Sequence, residues 1–561
     1  MTYADKPWLR SYKLGPYKLK HSLEPYPEVP VYKCLDDTAG KYPGQTAILF
    51  QGRTLKYKEL KTQADKLATA LMDFGVRRGD RVCIFLPNCP EFIISDWAVL
   101  KAGGAVVPTS IMRTDEGLLH EVGTSKSRVI ICREEHLDRV IAVKEKSDLE
   151  HIIVTSTDGY DVTELKLGTL PGGTHEFRKI ISEYEASPPG VKIQPKEDLC
   201  EVAFTGGATG VPKGVMITHF NRYTNIMQSI PWLLAPLAPG IIGKASVFIT
   251  VPLFHAYGHW MEQMAAYWGL RIILAPDPRD NDEIVRIMKE YRPFLIPTVP
   301  TQLMRMAKGK VGRMNVLCMS AAAPLPLEVA NAIKNEIGNP VAEGYGLTEA
   351  GPITHMNPSA FSKITGFMPQ VKHSFGVPLP DTECKIVDPE GREVPIGEEG
   401  ELMVRGPQIM KGYWPEPGQG LTEDGWLHTG DIARMDEEGY FYIQDRTKDM
   451  INVSGFKVYT ITVDEVLFKH PGVLMAGAIG IPDPNMPGNE RVMAIIKPRD
   501  EYKGKITEEE IIEICKKHLP PYAVPKHVQF RDELPLTVTE KLWKKKLREE
   551  VIEEMKQEGN I

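Results

Sequence analysis

Leu60, Ala64, Leu67 and Leu71 recur at helical spacing, Gly75 and Gly79 close the segment, and an apolar run from Val82 to Leu86 follows at once. This handover from a helical period to a short buried strand constrains the fold more than any other feature of the chain. It recurs. A helix is expected over 54–74 and a strand over 81–86; a second helix runs from about Glu91 to Leu100, ends at Gly103-Gly104, and leads into Val106-Val107-Pro108. Arg128–Cys132 and Ile152–Thr155 read as further strands. After residue 198 the pattern returns in Val247–Val251, Ile272–Leu274 and Leu295-Ile296, with a helix over Asp282–Glu290. Such alternation predicts an α/β fold built on parallel sheets.

The texture changes twice more. From about 374 to 444, short alternating runs such as Cys384–Val387 and Glu401–Val404 lie between Gly/Pro turns, which predicts a β-rich subdomain. After Asp445 charge density rises and helices are expected at about 463–469, 507–518 and 541–556. The division follows: a large N-terminal domain, 1–445, and a small α+β domain, 446–561. At 561 residues the chain is too long for one core. Neither internal repeats nor low-complexity tracts occur.

Charge and cysteine usage narrow the function classes. Lys plus Arg number 67 and Asp plus Glu 74, a formal net charge of −7, so no global attraction to nucleic acid or an anionic membrane exists. Local basic patches remain able to hold an anionic cofactor. The 8 cysteines form no Cys-x-x-Cys pair and no zinc spacing, and are expected as buried free thiols in a reducing, cytoplasmic compartment. No apolar run reaches membrane-spanning length, and MTYADKPWLRSYK lacks the apolar core of a signal peptide. Peripheral contact with a membrane stays open, as does a homodimer.

Three stretches carry chemistry. In Thr205-Gly206-Gly207-Ala208-Thr209-Gly210-Val211-Pro212-Lys213-Gly214, glycines expose backbone N–H groups, two threonines add hydroxyls and Lys213 adds charge, which suits phosphate. The P-loop pattern G-x-x-x-x-G-K-S/T does not fit, because Pro212 occupies the needed glycine position. In Glu343-Gly344-Tyr345-Gly346-Leu347-Thr348-Glu349, the tyrosine suits a purine, the threonine a phosphate and Glu349 a Mg²⁺ ion. In Gly425–Asp431 and Asp445–Asp449, an aspartate after a glycine turn suits ribose hydroxyls. Taken singly, a flexible loop and a tight turn before a surface acid are the stronger readings of the first two, and an Asx turn with a surface ion-pair run is the plain reading of the third.

Together and in this order, from about Val31 to Leu547, the motifs resemble the adenylate-forming superfamily of acyl-CoA synthetases, firefly-type luciferases and peptide-synthetase adenylation domains. The resemblance implies ATP, Mg²⁺ and CoA as cofactor and co-substrates, and a C-terminal domain that moves about a hinge at Lys448. It implies that Thr205, Gly206, Gly207, Thr209, Gly210 and Lys213 close over the β- and γ-phosphates. Glu343, Gly344 and Tyr345, with Ala322 in Ser320–Pro324, would hold adenine; Thr348 the α-phosphate; Glu349 the metal; Asp431 and Arg446 the ribose. His255 would flank the acyl carboxylate, though a lone histidine there reads equally well as core. Gly455 would lie beside the pantetheine tunnel, and Lys541 would bridge the carboxylate and α-phosphate.

The chain also departs from the family's pattern. Gly206 and Ala208 replace hydroxyl residues, Ala321 replaces a glycine and is expected to narrow the pocket, and Thr460 and Thr462 replace Pro and Glu. Glu540 replaces the glycine before Lys541. Its carboxylate is expected to pair with Lys541 or repel the substrates, and to strain the loop if the position needs positive φ. Glu24–Pro30, Pro252–His255 and Met403–Pro407 look most like medium- to long-chain fatty acyl-CoA synthetases, with apolar residues at 255–268 and 319–323 for an acyl tunnel or equally for core. The expected activity is AMP-forming ligation of a fatty acid to CoA. Aryl acids, a carrier-protein acceptor, or a degenerate nucleotide- or acyl-binding protein are the alternatives.

Overall fold

The computed structural model describes residues 2–156, 165, 170–205, 211–367, 371–484, 486, 488–537 and 540–558. Gly206, Gly207, Ala208, Thr209 and Gly210 of the expected phosphate loop lie outside them.

Two nine-stranded sheets form the frame. The first runs, from edge to edge, through Glu416–Pro417, Gly412–Tyr413, Lys213–Thr218, Leu199–Thr205, Ala105–Pro108, Arg81–Phe85, Val129–Arg133, His151–Thr155 and Thr174–Glu176. The six from Leu199–Thr205 onward are parallel, as the alternating pattern predicts, and the preceding strands are antiparallel. The second sheet runs through Val377–Pro378, His355–Met356, Ala342–Tyr345, Leu317–Ser320, Leu295–Thr298, Ser246–Ile249, Arg271–Leu274, Thr46–Phe50 and Arg53–Lys56. Its strands between Ala342 and Phe50 are parallel. The sheets are therefore not filled in chain order. Thr46–Phe50 joins the second sheet although the next seven strands after its hairpin partner build the first.

Several expectations shift at their edges. The helix expected over 54–74 is Tyr57–Asp73, because Thr54, Leu55 and Lys56 instead pair with Thr46–Phe50. Leu55, the one buried residue of that strand, lies five positions before Leu60 and so falls off the stripe of Leu60, Ala64, Leu67 and Leu71; it is buried by the strand's own pairing. The strand expected to reach Val251 stops at Ile249, and the Thr250 hydroxyl turns to the Pro297 carbonyl. The last helix starts at Lys544 rather than 541, because Leu536 bridges Leu542 and the Thr537 N–H bonds the Lys541 carbonyl. Lys541 thus precedes the helix rather than lying on it. In the expected β-rich region, Glu383–Val387, Gly400–Arg405, Leu427–Met435 and Phe441–Arg446 form a four-stranded antiparallel sheet, while Gly412–Tyr413 and Glu416–Pro417 cross to the first sheet.

Beyond Arg446 the chain builds the strands Val473–Pro482, Glu490–Pro498 and His527–Phe530 with three helices. Their apolar side chains form cores of their own, separate from the main core between Tyr3 and Phe441. All eight cysteines are buried free thiols. Among the described residues no helix is long and apolar enough to cross a membrane.

Candidate active site

The site collects where the second sheet, the four-stranded sheet and the C-terminal turn meet. Ala342–Tyr345 ends the run of parallel strands and presents Glu343, Gly344 and Tyr345 in succession. Chain reversal follows immediately, and Gly346 is there for want of space: a Cβ would overlap the Pro352 carbonyl. The short 3-10 turn Thr348–Ala350 then carries Thr348 and Glu349. Tyr345 rests against Phe375, ring centroids 4.5 Å apart, and its hydroxyl donates to Asp431 Oδ2 at 2.6 Å. Burial, followed by the Asp431 charge, keeps this phenol protonated.

Asp431 and Arg446 face each other on paired antiparallel strands, with Arg446 Nε 3.2 Å from Asp431 Oδ1. Register thus delivers both ribose candidates to one spot, adjoining Tyr345. Glu349 receives a hydrogen bond from Tyr413 at 2.9 Å and a long one from Thr205 at 3.5 Å, both on Oε1, which leaves Oε2 to a cation. Thr205 is the last residue of its strand and pairs directly with Lys213, whose ammonium lies 5.1 Å from the Tyr413 ring. The described ends of the phosphate loop therefore stand beside the metal candidate. Tyr413 carries no motif of its own in the sequence; only the antiparallel crossing of Gly412–Tyr413 brings it here.

His255 caps the helix Ala256–Tyr267, its Nδ1 accepting the Tyr257 N–H at 3.3 Å. The remaining ring proton therefore belongs on Nε2. Burial, and secondly the Lys541 ammonium, push its pKa down to about 3, so the ring is neutral. Lys541 in turn is pushed down to about 7 by burial first and Arg446 second, against the attraction of Asp431. The residue as a whole keeps some exposure, but its ammonium is enclosed. These mutual effects put the Lys541 ammonium within electrostatic reach of His255, Arg446 and Asp431. No carboxylate among the described residues pairs with it.

The strand Leu317–Ser320 leads to Ala321 and Ala322. Ala321 is buried, as the narrowing argument requires, but the unusual backbone is at Ala322, a non-glycine residue at φ 72°. The apolar candidates for an acyl tunnel, Tyr257, Trp260, Met261, Met264 and Met319, pack within the main core, and the Tyr257 hydroxyl donates to the Met319 carbonyl at 2.9 Å.

Two sequence candidates stand apart. Lys448 is exposed in the turn after Arg446. Gly455, at φ 87°, turns the hairpin Ile451–Val458, where its N–H donates to Asn452 Oδ1 and an added Cβ would touch nothing within 4 Å.

The expectation that Glu540 pairs with Lys541 fails. Its carboxylate turns to Arg305, Oε2 to Nη2 2.6 Å. The strain argument holds: Glu540 has φ 59°. Other contacts with the C-terminal segment were missed by sequence reasoning. His373 lies 3.0 Å from Glu343 and 3.7 Å from Glu465, whose hydrogen bonds raise its pKa to about 10. Asp445 accepts the Thr460 N–H at 2.5 Å and its hydroxyl at 3.0 Å, capping the helix Thr460–Leu467. A proline at 460 has no N–H to give, so the departure noted there builds this cap.

The AMP-binding enzyme family matches residues 35–414, and the AMP-binding enzyme C-terminal domain matches 462–541. A long-chain-fatty-acid–CoA ligase from Bacillus subtilis (strain 168) is 34% identical, covering 98% of this chain and 99% of the relative. The ligase of that name from Salmonella typhimurium is 32% identical, over 97% and 98% respectively. Among solved structures, ATP-bound MatB from Rhodopseudomonas palustris superposes with TM-score 0.80 at 25% identity, over 93% of this chain and 99% of that one. An anthranilate CoA ligase bound to anthranoyl-AMP superposes with TM-score 0.81 at 24% identity, over 94% and 98%.

Proposed function

The chain belongs to the AMP-binding enzyme family, and from that premise we propose that it is an AMP-forming acid–thiol ligase that joins a medium- or long-chain fatty acid to CoA through an acyl-adenylate. The observation that carries the reading is the cluster of Tyr345, Asp431 and Arg446 in direct contact, with Lys541 of the C-terminal segment within electrostatic reach of it and of His255. The near full-length likeness to curated long-chain ligases supports the choice of acid.

The chemistry needs these groups. A carboxylate oxygen attacks the α-phosphorus of ATP, a phosphoanhydride bond breaks, and pyrophosphate leaves. Tyr345 offers its ring to adenine, and Asp431, oriented by Tyr345 and Arg446, accepts the ribose hydroxyls. Lys541, protonated once phosphate lies beside it, and Thr348 offset charge on the α-phosphate and the incoming carboxylate. His255 donates from Nε2 to the acyl carboxylate. Mg²⁺ would be held by Glu349, and when bound supplies positive charge to the polyphosphate. In the second step the CoA thiolate attacks the acyl carbonyl and AMP leaves, with Gly455 beside the pantetheine arm after the C-terminal domain turns about Lys448. The buried thiols suit a cytoplasmic enzyme.

A pyrophosphate-exchange assay with a panel of acids, followed by CoA-ester analysis, tests the reading. Medium- and long-chain fatty acids are expected to give the highest kcat/KM and a CoA thioester. Benzoate or coumarate analogues at the top would overturn the acid class. Exchange without ester would point to a carrier-protein acceptor, and nucleotide binding without exchange to a binding protein.

A further inference from the structure

Glu540 is one residue from the adenylating lysine and holds two unusual features at once. Its backbone is left-handed, a conformation disfavoured for any side chain with a Cβ, and its carboxylate crosses to the N-terminal part of the chain. Both of its long-range partners stand on the helix Pro300–Lys308. Arg305 Nη2 lies 2.6 Å from Glu540 Oε2, and the Thr301 hydroxyl donates to the Glu540 carbonyl at 3.0 Å. Thr301 and Arg305 are four residues apart and share one face of that helix. The turn is therefore gripped through both its backbone and its side chain. Within the turn, Glu540 donates its N–H to the Thr537 carbonyl, Thr537 donates its own N–H to the Lys541 carbonyl, and Lys541 donates its N–H to the Thr537 hydroxyl.

Charge around the grip favours it. Arg279 also feels Glu540 and is itself paired with Asp277. The Glu540 side chain is 15% exposed and that of Arg305 32%, so solvent screens the pair only in part. With the carboxylate held by Arg305, the negative charge beside Lys541 is drawn away from the place where phosphate and carboxylate must come.

We propose that Glu540 is a positioning residue for adenylation: with Arg305 and Thr301 it clasps the turn that carries Lys541 onto the helix Pro300–Lys308. The inference rests on the two-step ligase reading above. The clasp holds only while the C-terminal segment lies over the nucleotide site, so it favours the first half-reaction and must open for the second.

The test is a double-mutant cycle of Glu540→Gln and Arg305→Gln, with the exchanged pair Glu540→Arg/Arg305→Glu as rescue. Each half-reaction is measured separately: pyrophosphate exchange, and thioester formation from synthetic acyl-adenylate and CoA. Each single variant is expected to lower kcat for exchange about tenfold, as for a partly desolvated charge pair, with KM for ATP within about twofold. The double variant should lose little more than either single, the exchanged pair should recover most of the rate, and thioester formation should hold or rise. Equal losses in both half-reactions, additive losses, or faster exchange in Glu540→Gly would overturn the clasp. Hydrogen exchange of the peptide spanning 533–543, with a non-hydrolysable ATP analogue bound, reads the clasp without turnover. Protection lost in Arg305→Gln supports it even if the wild type activates no acid, the result that would sink the ligase reading; protection unchanged refutes it.

Discussion

Lys541 offers the sharpest test of the site, because its enclosure has a signature in protons as well as in rate. Burial and Arg446 lower its pKa from 10.5 to about 7. At 1.36 kcal/mol per pH unit this is at most about 5 kcal/mol against holding a protonated lysine in the ligand-free closed site. The sign follows from linkage. A lysine with a depressed pKa binds fewer protons in the closed state than in the open or unfolded one. Closure is therefore penalised in full below about pH 7, and the penalty fades as pH rises to 10.5. ATP brings phosphate oxygens to the ammonium and restores its affinity for a proton.

Binding of ATP at pH 7.5 should then take up about 0.75 proton per site, and no less than about 0.25 if the free pKa lies one unit higher. Calorimetric titration in two buffers of different ionisation enthalpy measures this number. Lys541→Met should abolish that uptake, slow pyrophosphate exchange by roughly 10²–10³, and leave thioester formation from supplied acyl-adenylate intact. In the wild type, kcat/KM for ATP should fall above about pH 7, since it reports the free enzyme, while kcat holds to higher pH. Equal proton uptake by wild type and Lys541→Met would refute the placement of this ammonium in the site.

Tyr345→Phe removes the hydrogen bond to Asp431 while keeping the ring, and should raise KM for ATP about fivefold, worth about 1 kcal/mol; steady-state kinetics at fixed acid checks it. Gly346→Ala drives a methyl group into the Pro352 carbonyl and should lower stability by about 1–3 kcal/mol, read from denaturant midpoints, together with loss of nucleotide binding. Glu349→Gln should cut exchange by at least about 10² at any Mg²⁺ concentration, whereas Tyr413→Phe, which frees Glu349 Oε1 of its shorter hydrogen bond, should mainly raise the Mg²⁺ concentration required.

What the sequence made legible was whatever local periodicity or a contiguous motif encodes. The parallel strands follow from runs such as Val82–Phe85 and Ile130–Cys132, which are buried on both faces and therefore apolar throughout. Glu343–Glu349 was readable because one strand and one turn deliver the whole set, and Asp431 and Arg446 because their motifs are short, although only strand register brings them together. The membership of Thr46–Phe50 in the second sheet was not readable, nor was the crossing of Gly412–Tyr413 to the first, because a strand's partner is chosen by long-range packing and leaves little local mark.

The same limit explains Glu540. Read along the chain, a carboxylate next to Lys541 threatens its charge, since sequence neighbours are the only partners in view. Read in space, the turn closed by Thr537 directs the two side chains to different environments, and the partner of Glu540 is an arginine 235 positions earlier. Thr460 follows the same logic: its gain over a proline is an N–H whose acceptor, Asp445, lies 15 positions earlier. Both departures supply polar contacts between the two parts of the chain while leaving the nucleotide-binding groups untouched. A residue that breaks a local pattern at a domain boundary is thus best judged by what it meets across that boundary. Here Glu540 meets Arg305 and Thr460 meets Asp445, partners that the residues beside them in the chain do not reveal.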